Sequence, residues 1–307
     1  MVSVVSAALS RYTSSSDPNV IRPSAMPPEP TRISPGVEME VLATKVVNVP
    51  AAGVMPFTRN NVILDKGCMS PFSLVKSNSA FYMVGAGADK TPAIWQFSGN
   101  GYTKKSTEAI EQLLSTYTEN EIGSIFAMSY SENGSYFITF TLPDRTICFD
   151  IITERWSERT SLIEEEEKPW RVSSIMTAYG MVIVGDTIDG KIGEMSLDFV
   201  EEYGGNIIRL FTTMPFANAG DEIVVKMLEL TLESGKGTAD NPDPVVSFAS
   251  SRDGKTFSHE RIRKIGKIGE YNRRVVWYRN GLFDRFVVFQ FRLSGPIKSA
   301  FIKLEFE

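Results

Sequence analysis

The sequence predicts an all-β chain: propeller-like blades preceded by an extended N-terminal arm and followed by a C-terminal β-rich region. Three observations carry this prediction. Apolar residues recur with period two in short runs closed by Gly, Asn and Asp, which is the pattern of half-buried strands joined by tight turns. Units of consecutive antiparallel strands recur about 40 residues apart, within the range of a blade repeat, although two clear units leave a two-sheet sandwich open as the alternative. The opening stretch is too rich in proline for a helix or for a strand inside a sheet.

Residues 1–55 form the predicted arm. Thr13 to Ser16 make a hydroxyl-rich tract, and Pro18, Pro23, Pro27, Pro28, Pro30 and Pro35 fall within eighteen positions. Proline at that density fixes φ and removes backbone donors, so the arm is extended and needs a partner to hold it. The predicted blades occupy 56–205. Ala80 to Val84 and Ala93 to Phe97 make a hairpin across Gly85-Ala86-Gly87-Ala88-Asp89-Lys90. That run lacks the spacing of a phosphate-binding loop, and Pro92 would disrupt the helix such a loop requires. One helix is expected from Ser106 to about Tyr117, where Ile110, Leu113, Leu114 and Tyr117 fall at i, i+3, i+4 and i+7 behind a Ser/Thr cap.

Ser135 to Leu142, then Thr146 to Ile151, then Thr153 to Arg159 with Trp156 form the clearest blade-like unit, the Trp being expected to pack between neighbouring blades. Glu164 to Glu167 are four adjacent like charges, expected in a solvated loop. Ser174 to Tyr179, Gly180 to Gly185 and Lys191 to Leu197 repeat the rhythm. Residues 206–307 are expected to close or extend the propeller, with strands over 206–214, 222–232, 245–251, 274–278, 286–293 and 297–306. Within 221–233 the alternation is imperfect, which suggests burial on both faces.

Composition excludes several function classes. The formal charge is −5, so the chain is not a polycation that coats nucleic acid. No run of about 18 apolar residues occurs, so no stable membrane insertion is expected. Cys68 and Cys148 make neither a disulfide framework nor a CxxC metal pair, and no metal or other cofactor is expected. The single histidine, His259, has no GxSxG or HExxH companion, so hydrolase chemistry lacks its parts and it reads as a surface or strand-edge residue. Charge is uneven: from Arg252 to Glu307 there are thirteen Lys or Arg against six Asp or Glu, a net of +7, which leaves −12 on the first 251 residues. The basic residues Arg261, Arg263, Lys264, Lys267, Arg273 and Arg274 are the candidate interaction site, for an acidic partner surface or for DNA.

The run Ser251-Arg252-Asp253-Gly254-Lys255-Thr256-Phe257, with Glu260, Ile265 to Tyr271, Arg273 to Trp277 and Asn280 to Arg285, resembles the C-terminal signature of the packaged-DNA stabilisation proteins of short-tailed bacteriophages, also called tail nozzle or tail hub proteins. Asp65-Lys66-Gly67-Cys68 with Pro71, Ser106 to Glu111 with Tyr117, and Asp150 to Arg159 agree in the same order. The resemblance covers roughly residues 56 to 307. It implies a structural, non-enzymatic subunit of a ring, usually six-fold, below the portal and adaptor proteins. A tail needle, fibre or spike would lie beyond it. Such a ring retains packaged DNA and conducts it during ejection, contacting it transiently. The protein is then expected in the virion tail, after assembly in the host cytoplasm. Family members are longer, with opening β-rich blades where this sequence has its arm. For the basic residues a subunit interface is favoured over the DNA conduit, because a channel that gripped phosphate would impede ejection.

Two other classes compete. A carbohydrate-binding or carbohydrate-degrading propeller, such as a receptor-recognition component, would use Trp95, Trp156, Trp170 or Trp277 as stacking faces and Glu158 or Asp186 as carboxylates. A free adaptor binding DNA directly would use the basic strands with their interleaved aromatics.

Overall fold

The computed structural model describes residues 2–4, 66–99, 101–239 and 241–307. Of the expected arm only the strand β1 (Val2–Val4) is among them; the remainder of 1–55 and Asp65 of the family-like motif lie outside the described residues. The chain divides into two compact units. One contains 66–159 with Ser174–Met176, and the other contains Thr160–Ser173 and Thr177–Glu307 together with β1.

The first sheet contains β2 (Gly67–Cys68), β3 (Val75–Ser77), β4 (Ala80–Ala86), β5 (Pro92–Ser98) and β6 (Gly101–Lys104), in the order β2-β4-β5-β6 with β3 also on β4. The Gly85 to Lys90 run is the expected hairpin turn. Lys90 donates its N–H to Gly87 O at 3.0 Å, and Pro92 sits at the start of β5, where a missing donor is tolerated. Helix α1 (Glu108–Ser115) buries Ile110 and Leu114, as the apolar stripe requires. A second helix, α2 (Glu119–Gly123), is absent from the elements expected above. Its start is a capping box: Thr118 Oγ1 accepts from Glu121 N, and Glu121 Oε2 accepts from Thr118 N at 2.8 Å.

The second sheet runs in the order β11-β10-β9-β8-β7, from β7 (Phe126–Glu132), β8 (Ser135–Thr141), β9 (Thr146–Asp150), β10 (Arg155–Ile163) and β11 (Glu166–Pro169). A core joins it to the first sheet and the helices: Tyr82, Val84 and Ile94 meet Ile110, Leu114 and Ile125, and these meet Ile138, Phe140 and Phe149. Trp156 is the expected inter-sheet residue. Its ring lies 4.7 Å from that of Phe149, and Nε1 donates to Lys105 O, in the segment after the first sheet, at 3.1 Å. The acidic run departs from the expected loop. Glu164 and Glu165 take positive φ in the turn, but Glu166 and Glu167 belong to β11, where Glu167 is ion-paired with Arg292.

β12 (Val172–Ala178), β13 (Met181–Asp186), β14 (Ile192–Met195), β15 (Glu201–Glu202) and β16 (Gly205–Asn206) form a third sheet in the order β12-β13-β14-β1-β15-β16. β1 is antiparallel to β14 and parallel to β15.

The expectation that residues 206–307 close or extend the propeller is corrected by the structure, which makes them a two-sheet sandwich with its own core. The remaining strands are β17 (Ile208–Thr212), β18 (Phe216–Ala217), β19 (Ile223–Leu232), β20 (Val245–Ser251), β21 (Arg261–Lys264), β22 (Val275–Phe283), β23 (Phe286–Ser294) and β24 (Phe301–Phe306). One sheet is β17-β23-β20-β21, with β18 also on β23, and the other is β22-β19-β24. Trp277, Phe248, Phe289 and Phe291 are fully buried between them, each such side chain contributing roughly 1.5–3 kcal/mol. The two-sided burial expected for 221–233 is also corrected. β19 buries Val225, then Leu228, Leu230 and Leu232, because an irregularity after Val225 shifts the alternation from odd to even positions while one face stays inward. Lys226 N and Met227 N both donate to Glu307 O, at 2.6 and 3.1 Å.

Candidate functional site

Of the six basic residues proposed from sequence, Arg261, Arg263 and Lys264 lie on β21, Arg273 and Arg274 lie just before β22, and most already have partners. β21 is the outer strand of one sheet and β22 of the other. β22 pairs with β19 on one side; on its other side its carbonyls meet guanidinium groups. Arg261 donates from Nη2 to Tyr278 O at 3.0 Å and to Asn280 Oδ1 at 2.9 Å, and from Nη1 to Arg279 O at 3.4 Å. Arg263 donates from Nε to Val276 O at 3.0 Å. Trp277 returns the bond, its Nε1 donating to Arg261 O at 2.8 Å. The period-two spacing of Arg261 and Arg263 puts both side chains on one side of β21, where they occupy an edge that could otherwise template another strand. Burial, and then the neighbouring charge of Arg263, push the Arg261 pKa down, although the group stays ionised.

The other four are held in or near ion pairs. Lys264 Nζ lies 2.6 Å from Asp243 Oδ2. That hydrogen bond holds the Asp243 carboxyl below its ordinary range, with Lys267 and Arg273 adding to the effect. Arg273 reaches Glu270 at 3.2 Å. Arg274 grips Glu229 with both ends of its fork, at 2.7 and 2.5 Å, and lowers its pKa. Lys267 is exposed, and its backbone N–H donates to Glu270 Oε2 at 3.1 Å. Three of the six candidate cations, Lys264, Arg273 and Arg274, are therefore matched by Asp243, Glu270 and Glu229. Asp243 and Glu229 precede the basic stretch in the chain, so a count within that stretch misses them.

The family-like signature builds turns rather than chemistry. Asp253 Oδ1 accepts from Lys255 N at 2.8 Å, Thr256 N at 2.7 Å and Ser251 Oγ at 2.9 Å; the two backbone donors come first in holding its pKa far below the ordinary range. Gly254 follows with φ 73°. Gly266, with φ 121°, sits where an added Cβ would lie 2.8 Å from Glu270 O, so this turn of the loop excludes a side chain.

The carbohydrate-type residues are likewise engaged. Trp277 and Trp170 are buried, the latter donating to Glu202 Oε1 at 2.9 Å; Trp95 donates to Gly85 O at 3.1 Å. Asp186 accepts from Arg171 Nε at 2.8 Å and pairs with its Nη2 as well. Burial alone would raise the Asp186 pKa, but Arg171 and neighbouring donors hold it well below the carboxylate range. Glu158 is exposed, as is His259 just before β21. Among the described residues no group of three or more His, Cys, Asp or Glu could hold a metal, and no helix is long and apolar enough to cross a membrane.

Similarity to known proteins extends over most of the chain. The family model described as bacteriophage P22 Gp10, beta-propeller, matches residues 41–200, and that described as bacteriophage P22 Gp10, beta-sandwich, matches 208–307. The tail hub protein gp10 of Salmonella phage P22 is 18% identical over 245 residues, covering 79% of this chain and 51% of that protein. The chain thus spans about half the length of this relative. A solved exo-beta-1,3-galactanase of Phanerochaete chrysosporium overlaps 76% of this chain and 67% of its own, with 9% identity and a TM-score of 0.21, too low to relate the two folds. With a propeller match and a sandwich match following one another along the sequence, the chain belongs to the family of bacteriophage P22 Gp10.

Proposed function

We propose that the chain is a structural subunit of a phage tail, forming a ring of about six copies below the portal and adaptor proteins. There it helps retain packaged DNA and conducts it during ejection. The observation that carries this reading is the pair of consecutive family matches over both modules, supported by the tail hub relative. Its partners would be other copies of itself, the head-to-tail connector above, and a needle, fibre or spike below, with DNA in transit. It would act in the virion tail after assembly in the host cytoplasm. The arm, 1–55, would be an assembly element, and 56–205 and 206–307 would be the working modules. No catalytic role is assigned.

The pairing of three of the six candidate cations with carboxylates supports a conduit or interface that does not grip phosphate. Phosphate affinity rises with each cation free to displace counterions, and Lys264, Arg273 and Arg274 are already matched by carboxylates. Lys267 and the rims of these pairs are the surface left for a neighbouring subunit. Mass photometry and negative-stain imaging of the purified chain test the reading: rings of about six copies are expected. A chain that stays monomeric at micromolar concentration, alone and with connector proteins, would refute it.

A further inference from the structure

The two long sides of the sandwich are treated differently. On one, Arg261 and Arg263 cover the edge of β22. On the other, β17 and β24 are the outer strands, and among the described residues neither pairs with a further strand. Ring contacts place them together: Phe211 of β17 lies 6.0 Å from Phe301 of β24 and 6.4 Å from the core residue Phe291. Yet the side is not sealed. Phe211 is 42% exposed, Leu210 52%, Met214 79% and Ile302 64%.

Arg209 lies on this same edge. Its register partner on β23 is the buried Leu293, and two positions on Phe211 pairs with the buried Phe291, so Arg209 is on the inward face of β17. Both its terminal nitrogens, Nη1 and Nη2, are shielded from solvent and have no hydrogen-bond partner among the described residues. Burial pushes its pKa down, and no described carboxylate offsets the effect. A guanidinium that has lost water and gained no acceptor is costly, and a folded chain seldom keeps one without use for it. To meet a partner's carboxylate the guanidinium would turn from this shielded position toward the open edge, by a rotamer change of its flexible stem.

We propose that the β17–β24 edge is a docking site for an extended segment of another protein, one with an acidic side chain between apolar ones. The backbone of that segment would extend the sheet from β17. Its apolar residues would cover Phe211, Leu210 and Met214, and its carboxylate would receive the fork of Arg209. The unpaired strand edge calls for an extended chain, the exposed aromatic and aliphatic side chains call for apolar neighbours, and Arg209 calls for the acid. The site does not depend on the tail reading, since it can be occupied whether or not the chain forms rings.

The test uses the full chain and three synthetic twelve-residue peptides of alternating Val and Thr that carry Glu, Gln or Lys at one central position. The Glu peptide should slow amide exchange in β17 and bind at least about ten-fold more tightly than the other two. Arg209→Met should reduce that preference to within about two-fold, and Arg209→Lys should keep part of it. Without peptide, Arg209→Met should raise the melting temperature by a few degrees, because it removes a buried unpaired charge while keeping an apolar stem. A lower melting temperature for Arg209→Met would mean the guanidinium is satisfied within the chain and would overturn the proposal. Equal binding of the three peptides, or no change in β17 exchange with the Glu peptide, would do the same. Self-association that the Glu peptide competes away would give the edge to a second copy and overturn the assignment to another protein.

Discussion

Replacing Arg261 should open the β21–β22 side of the sandwich while leaving its core residues in place. The substitution Arg261→Met keeps an apolar stem against Phe248, over whose ring the guanidinium now lies at 5.6 Å. It removes three donor contacts, to Tyr278 O, Arg279 O and the buried Asn280 Oδ1. Hydrogen bonds from a charged group contribute about 1.5–3 kcal/mol each when buried, but two of these acceptors can regain water at the edge. Asn280 cannot do so easily, so the loss should be about 2 kcal/mol. Arg263→Met, at an exposed position, should cost about 0.5 kcal/mol. A chain of two compact units has no single unfolding free energy, so the readout is local amide exchange in β22. A loss of about 2 kcal/mol corresponds to roughly thirty-fold faster exchange. Arg279→Met is the control, since Arg279 is exposed and its side chain has no hydrogen bond or ion pair among the described residues. If Arg261→Met accelerates β22 exchange no more than Arg279→Met does, the edge-capping argument is wrong.

Further outcomes are expected at other sites. Asp186→Asn should destabilise its unit by about 2 kcal/mol in a urea titration, because it removes the buried carboxylate that Arg171 grips and leaves only the more exposed Asp189, at 3.5 Å. The folded-state pKa of Asp186 is depressed, so the stability it provides is present above the unfolded carboxylate pKa and lost as pH falls through the folded value. A pH titration should therefore show the Asp186→Asn difference shrinking below about pH 4. Gly266→Ala should cost about 2 kcal/mol or more, from the positive φ and the approach to Glu270 O, and should accelerate exchange between Ile265 and Arg274. Deleting residues 1–40 should keep the circular dichroism of a β-rich protein, with β1 lost from its sheet, while abolishing rings in mass photometry; unchanged rings would remove the arm from assembly.

The all-β class, most strands and the first helix were legible in the amino-acid order alone, because period two and period 3.6 are local properties that survive without tertiary context. The hairpin turn over Gly85 to Lys90 was legible too, since a Gly-rich run between two alternating apolar stretches marks a tight turn. The capping signal of Thr118-Glu119-Asn120-Glu121 is equally local, but the helix it opens has only 5 residues, too few for an apolar period to register. Other features emerge on folding, because they depend on residues distant in the chain. The sandwich arises because strands from 208 to 306 close a core among themselves, and alternation alone does not say which sheet a strand joins. The single inward face of β19 depends on a register shift that no local pattern encodes. The basic cluster shows the same limit most clearly: counted along the chain it is a patch of six cations, but folded it is two arginines on backbone carbonyls, three cations on carboxylates and the exposed Lys267. The reason is that charge acts through distance in space, and Glu229 is forty-five positions from Arg274 in the chain but 2.5 Å from it in the fold.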